Sequence, residues 1–305
     1  MTSGNVKIGL TCWKPGGEWS AAALCQQAEC TEQLGFHSFW LPENHFGKQA
    51  MPSPLTQLAA AAARTTSLQL GTVSYLLPIR HPIQAAEEVA VLDQLSQGRL
   101  ILGLGRGIQS DVFQASGIDS KHKRELFAEK LLIMRKAWAG GALDDGSGAR
   151  LSPLPYQPGG PPLWIAAFGP LALKQVAGLG LPYLASPMED IQSLESNYQQ
   201  HRQLLKENGQ PTVDTVPIMR TVFVHPRRAL RDSLSEALIK QATQLGRSEA
   251  ADIDSWTLIG DRQEVRDKID EYRERLGMTH LIASGRLPGL GGEQVMDSHR
   301  LLAQL

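Results

Sequence analysis

Arg106 stands between Gly105 and Gly107 at the end of an apolar run, "LILGLGRG" over 100–107. A guanidinium framed by glycines can hold a phosphate bidentately, and the glycines let backbone N–H groups approach the anion. The spacing is GxGxG, not the GxGxxG of a dinucleotide fold. It is followed neither by an immediate helix nor by an acid ending a second strand about 20 residues on. The alternative is that Arg106 pairs with a carboxylate and the glycines only permit a tight turn. Gly169-Pro170 offers a second phosphate contact, because Pro170 suits the first position of a helix whose N–H groups attract anions. The other polar cluster is Glu43-Asn44-His45-Phe46. A histidine's ordinary pKa lies near neutrality, so His45 could act as general acid or base. Asn44 can donate to a developing oxyanion. Equally, His45 and Glu43 can be a satisfied hydrogen-bonded pair. His81, in "RHP", reads as a helix entry.

These residues need elements to position them. Val6, Ile8 and Leu10 alternate as a strand, and Leu24, Ala28, Thr31 and Leu34 mark one face of a helix. Residues 36–41, 68–74 and 100–104 read as further strands. Helices over 54–64 and 83–95, and a stripe at Phe127, Leu131, Met134 and Trp138, trail them. In the second half, 162–168, 182–186, 216–224 and 279–284 read as strands. Helices are expected over 170–179, 191–208, 229–245 and 293–305, with a stripe at Val265, Ile269, Tyr272 and Leu276.

Eight strands, each trailed by a helix, close most naturally into a (β/α)8 barrel; the competitor is an open doubly wound sheet. No composition break divides the chain, so one domain over 1–305 is expected, with an extra C-terminal helix. A Gly/Pro-rich insertion over 140–162 joins a helix to the next strand and so belongs on the N-terminal face, away from the catalytic end. Residues just after each strand line the site of such a barrel. They are Thr11, Cys12 and Trp13; Glu43 to Phe46; Val73, Ser74 and Tyr75; Gly105 to Gly107; and Phe168 with Gly169.

Of 305 residues, 42% are hydrophobic, enough for a large core. Thirty basic residues against 31 acidic ones give a net charge of −1, which provides no field for nucleic acid or an anionic membrane. Cys12, Cys25 and Cys30 form no CxxC, which argues against a disulfide framework or a metal site and for a reducing compartment. No apolar run has the length of a signal or a membrane span. A cytoplasmic location is expected.

Together, these segments resemble the bacterial luciferase-like monooxygenase family over most of the chain. "FWLPENHF" looks like that family's second strand end, where the luciferase catalytic subunit reads Glu-His-His-Phe. "LQLGTVSYLLPIRHPIQAAEEVAVLDQLSQGRLILGLGRG" has the family's Gly-Thr strand, His-Pro helix entry and Asp-x-x-Ser-x-Gly-Arg turn. "WTLIGDRQEVRDKIDEYRERLGMTHLI" is similar to its C-terminal pattern.

The resemblance implies a (β/α)8 barrel that binds reduced flavin and O2 at the strands' C-terminal ends. Arg106 would hold the phosphate of FMN, with Gly105 and Gly107 beside it and Phe168-Gly169 supplying backbone ligands where luciferase has Glu-Ser. Val73-Ser74 falls where the family often bends its third strand, through a non-prolyl cis bond, against the flavin ring. His45 and Asn44 would serve catalysis, and Trp13, Phe46 and Tyr75 would wall the substrate. The family's catalytic histidine position is Asn44 here, and an amide takes no proton, so luciferase-type light emission is not implied. The function expected is oxidation of a small organic substrate with reduced FMN from a partner flavin reductase. The alternatives are a deazaflavin-dependent oxidoreductase of the same fold and a non-catalytic flavin-binding protein. Small residues over 55–66 suit a homodimer contact, or simply tight packing of that helix.

Overall fold

The structure is a computed structural model describing residues 5–13, 20–47, 50–143, 148–244 and 252–305. It begins with β1 (Lys7–Thr11), α1 (Ala21–Gln33), β2 (Ser38–Leu41), α2 (Pro54–Ala62), β3 (Gln69–Thr72) and β4 (Tyr75–Leu76). Next come α3 (Pro82–Leu95), β5 (Leu100–Gly105), α4 (Ser110–Ala115), α5 (Lys123–Trp138) and β6 (Leu163–Ala166). Then follow α6 (Pro170–Gly178), β7 (Tyr183–Leu184), α7 (Ile191–Glu207), β8 (Pro217–Val224) and α8 (Arg228–Gln244). The chain closes with β9 (Thr257–Gly260), α9 (Arg262–Leu276), β10 (His280–Ser284) and α10 (Gly292–Leu302). This alternation of strands and helices makes an α/β fold.

The chain divides into two compact units, and each has its own parallel strands. One, the β5 unit, comprises Gly16–Glu29 and Phe39–Ala166. In it β5 pairs in parallel with β3, β4 and β6, through Leu70↔Leu100, Tyr75↔Leu104 and Leu102↔Leu163. Trp40 of β2 stacks on Trp164 of β6, ring centroids 4.9 Å apart. All six residues of β5 are buried, which is why it reads as a continuous apolar run and not an alternating one. The other, the β8 unit, comprises Met1–Pro15, Cys30–Ser38 and Ala167–Leu305. Its strands run β1-β10-β8-β9, all paired in parallel, with Ala185 bridging to Ile218 just after β7.

All eight expected strands are present, with two additions, β4 and β9. The single strand expected over 68–74 stops at Thr72. The Val73–Ser74 peptide is cis, and pairing with β5 resumes at β4. The four-residue β9 was missed because so short an apolar run carries no periodicity of its own. A short helix, α4, occupies part of the stretch between β5 and α5. Leu245, the expected end of the helix over 229–245, and residues 144–147 of the insertion lie outside the described residues.

The Asp-x-x-Ser-x-Gly-Arg turn has a structural job. Arg99 donates from Nε to Ser96 O (2.7 Å), from Nη1 to Thr65 Oγ1 (2.9 Å) and Leu68 O (3.1 Å), and from Nη2 to Ala62 O (3.0 Å). One guanidinium thus satisfies the carbonyl of Ala62 at the end of α2 and of Ser96 just beyond α3, which those helices leave unpaired. Asp93, fully buried, fastens the 140–162 segment: its carboxylate accepts from Gln157 N and Nε2, both at 2.8 Å. Gln157 Nε2 also donates to Leu100 O at 3.0 Å, so the segment is held at the N-terminal end of β5, opposite Arg106. Earlier in the segment, Ala142 and Arg150 form an antiparallel bridge. Q157A removes both side-chain bonds and leaves a buried carboxylate oxygen poorly satisfied. A loss of about 2 kcal/mol in urea unfolding is expected, with flavin binding unchanged.

Candidate active site

β5 ends by delivering Gly105, Arg106 and Gly107 to the C-terminal edge of its unit. A Cβ at Gly105 would collide with Ser74 Oγ, so the glycine is what lets the cis Val73–Ser74 turn nest against β5. Gly107 adopts φ +76°, a left-handed conformation costly for other residues, and a Cβ there would lie 3.1 Å from the Phe113 ring. Between them Arg106 is half-buried, its Nη2 donating to Ala166 O at 3.3 Å at the end of β6. Burial, and then the nearby positive charge of Arg124, lower its pKa below the usual arginine range. Lys123 adds a third cation: its Nζ donates to Gly107 O at 3.1 Å. A guanidinium, an ammonium and a second arginine near the glycine turn form a donor set that fits a phosphate dianion.

The second cluster in this unit is built on Glu43, just after β2, whose side chain is entirely buried. Its Oε1 accepts from Arg80 Nη2 at 2.6 Å and meets His45 Nε2 at 2.7 Å; its Oε2 accepts from Leu76 N at 2.8 Å. One carboxylate therefore joins the His45 loop to β4 and to the residues before α3. In the tautomer whose Nε2–H donates to Glu43, Nδ1 is left as an acceptor. Arg80 also donates to Leu76 O (2.8 Å) and lies 3.9 Å from the centre of the Tyr75 ring. Tyr75 is buried and donates to Glu88 Oε2 at 3.1 Å, so Arg80 covers the face of its ring. Burial pushes the Tyr75 phenol far up, and it stays a donor. Asn44 pairs through its backbone with Met51 in an antiparallel bridge. Phe46 adopts φ +60° and is 56% exposed.

In the β8 unit, Gly285 N donates to Thr11 Oγ1 at 2.7 Å, tying the end of β10 to that of β1. Cys12 is buried there, and burial pushes its thiol up to about 12, which keeps it neutral and unreactive. Trp13 meets the edge of the His299 ring, centroids 4.7 Å apart, and packs on the cluster of Phe223, Leu287 and Val295. Gly169 precedes α6, with Pro170 in the first turn, and Phe168 is 68% exposed. The candidate residues thus fall into two groups. Asn44, His45, Phe46, Val73, Ser74, Tyr75, Gly105, Arg106 and Gly107 belong to the β5 unit; Trp13, Phe168 and Gly169 belong to the β8 unit.

A family model described as luciferase-like monooxygenase matches residues 7–280. The chain belongs to the luciferase-like monooxygenase family. Among curated relatives, it is 28% identical over 193 residues to the alkanal monooxygenase alpha chain of a Kryptophanaron alfredi symbiont, covering 61% of this chain and 54% of that one. It is 28% identical over 187 residues to the oxygenase component of a flavin-dependent trigonelline monooxygenase from Acinetobacter baylyi, covering 57% and 51%. The chain spans about half the length of these curated relatives. Among solved structures, monooxygenase RslO1 from Streptomyces bottropensis superposes with a TM-score of 0.84 at 25% identity, over 98% of both chains.

Within this luciferase-like chain, sequence reasoning passed over three residues. Arg80 was hidden because it lies 37 residues from Glu43. Lys123 and Arg124 sat in a basic run, "KHKRE", that reads as an ordinary solvated face. The signal available was local: cations in the first turn of α5 oppose the helix dipole, at about 0.3–1 kcal/mol each.

His299, 2% exposed, is a further buried group beside Trp13, and burial pushes its pKa down to about 4. The unfolded chain takes up that proton near 6.5, before the folded one does. The contribution of the neutral ring is therefore fully present above about pH 6.5 and is lost as pH falls towards 4. In that window His299 adds a slope of up to about 1.4 kcal/mol per pH unit. Urea unfolding between pH 7 and 4 is expected to show this slope reduced in H299Q.

Proposed function

We propose that this protein is the oxygenase component of a flavin-dependent monooxygenase. It would use reduced FMN from a partner reductase, together with O2, to oxidise a small organic substrate. The observation that carries the reading is the Gly105-Arg106-Gly107 turn, nested on the cis Val73–Ser74 bend and flanked by Lys123, in a chain of the luciferase-like family. Bound reduced flavin would supply the electrons and the centre at which oxygen is activated.

The chain's own residues bind, orient and exclude water. Arg106, set between Gly105 and Gly107, takes the phosphate. Val73-Ser74 supports the ring. His45, oriented by Glu43, accepts a proton or hydrogen bond through Nδ1, and Asn44 donates beside it. Phe46 walls the substrate. In favour of Phe46 is that a non-glycine in the left-handed region holds an aromatic ring out towards solvent. The reading includes a TIM-like α/β fold as a single domain over 1–305, supported by the likeness to RslO1. It also includes a cytoplasmic location and a homodimer through α2; sedimentation tests the latter. No described helix is long and apolar enough to cross a membrane.

A second reading, hydride transfer with a deazaflavin, is favoured by the extra cations Lys123 and Arg124, which suit a longer anionic tail. Anaerobic titration of the purified protein with reduced FMN and with a reduced deazaflavin separates the two. Tighter binding of reduced FMN, with reoxidation in air slower than that of the free flavin, supports the monooxygenase. Binding of the deazaflavin alone would overturn it. Reoxidation at the free-flavin rate would favour a non-catalytic flavin binder.

A further inference from the structure

Lys123 opens α5, and its ammonium reaches back 16 residues to the Gly107 carbonyl, 3.1 Å away. It also lies 5.7 Å from the centre of the Phe113 ring. That same ring fills the space where a Gly107 Cβ would point. Lys123, Phe113 and Gly107 therefore pack as one group on the C-terminal side of Arg106.

The arrangement is costly without an anion. Lys123 and Arg124 are cations at the positive end of a helix, and Arg106 is a third charge of the same sign beside them. Burial, and then these two arginines, lower the Lys123 pKa below the ordinary lysine range. A dianion relieves all three repulsions at once. A residue that breaks a local rule and is held in place by a backbone carbonyl is the kind expected at a functional position.

Resting on the reading of Arg106 as the phosphate ligand, we infer that Lys123 is the positioning residue of the Gly105–Gly107 turn. By holding the Gly107 carbonyl it keeps the Arg106 fork in its binding geometry, and it sets how strongly a phosphorylated flavin is preferred over riboflavin.

The test compares dissociation constants of FMN and riboflavin, by fluorescence quenching at low and high salt, for wild type, K123M and K123R. Circular dichroism checks the fold, and K123Q replaces K123M if the latter does not fold. Wild type is expected to prefer FMN. K123M is expected to lose about tenfold of that preference and part of its salt dependence, with riboflavin affinity unchanged within about twofold. K123R, which keeps the charge, is expected to retain most of the preference. Wild type preferring FMN with K123M doing so equally would overturn this inference alone. A K123R loss as large as that of K123M would also overturn it. Wild type binding both flavins equally, or neither, would overturn the inference together with the reading of Arg106.

Discussion

Alanine at position 106 is expected to weaken FMN binding about a hundredfold while leaving riboflavin binding within about twofold. Charge-assisted, bidentate hydrogen bonds to phosphate are the strong class, and losing them costs about 2–3 kcal/mol at a half-buried site. Arg106 has the surroundings that make such a bond effective: partial burial, a glycine on each side, and Ala166 O at 3.3 Å steadying one end of the guanidinium. Removing the side chain should also relieve Lys123 and Arg124 of a like charge, so the folded protein should lose little stability. R106K keeps the charge but not the planar fork and is expected to fall between, about tenfold weaker than wild type. Titration with the two flavins reads the effect. Equal weakening for FMN and riboflavin would assign Arg106 to the general shape of the pocket, and the phosphate role would be lost.

Glu43→Ala should give the largest change in stability, about 4 kcal/mol in urea unfolding. The substitution strips a buried carboxylate from three donors at once: His45 Nε2, Arg80 Nη2 and Leu76 N. Breaking a buried ion pair by removing one partner costs about 3–5 kcal/mol, because the remaining charge is left without compensation. Arg80 is not wholly abandoned, since it keeps Leu76 O and the Tyr75 ring, which places the estimate inside that range. E43Q preserves shape and one acceptor and is expected to cost about half as much. Under the proposed function both variants should also slow turnover, because His45 loses the partner that fixes its tautomer and orientation. An E43A protein that unfolds at the wild-type urea concentration would show that Glu43 does not hold these segments together.

Much of this molecule was legible in the chain because the signals were local. β5 announced itself as a run of six apolar and glycine residues, and β8 by the apolar residues on either side of Arg220 and Thr221. The Glu43–His45 pair is two residues apart, and the hydrogen bond weighed from that spacing is present at 2.7 Å. The bend at Val73–Ser74 came from family resemblance; nothing in the composition of that stretch calls for a cis bond.

What was not legible depends on contacts between distant residues. Arg99 reads as one more charged residue until the ends of α2 and α3 converge on it, 34 and 37 residues back and three residues back. Tyr75 reads as a substrate wall, yet its ring face lies under Arg80 and its hydroxyl is held by Glu88. β9 and β4, four and two residues long, are strands only because a neighbour supplies their hydrogen bonds.

The sequence by itself determined the α/β alternation, the family, and the glycine-framed arginine at a strand's end. Each of these is set by residue type and spacing along a few turns of chain. Only the tertiary structure decided that Glu43 is shared between His45 and Arg80, and that Lys123 grips the carbonyl of Gly107. Hydrogen bonds and charges act through space over a few ångströms. The folded backbone brings the partners to that distance, and a one-dimensional pattern does not record it.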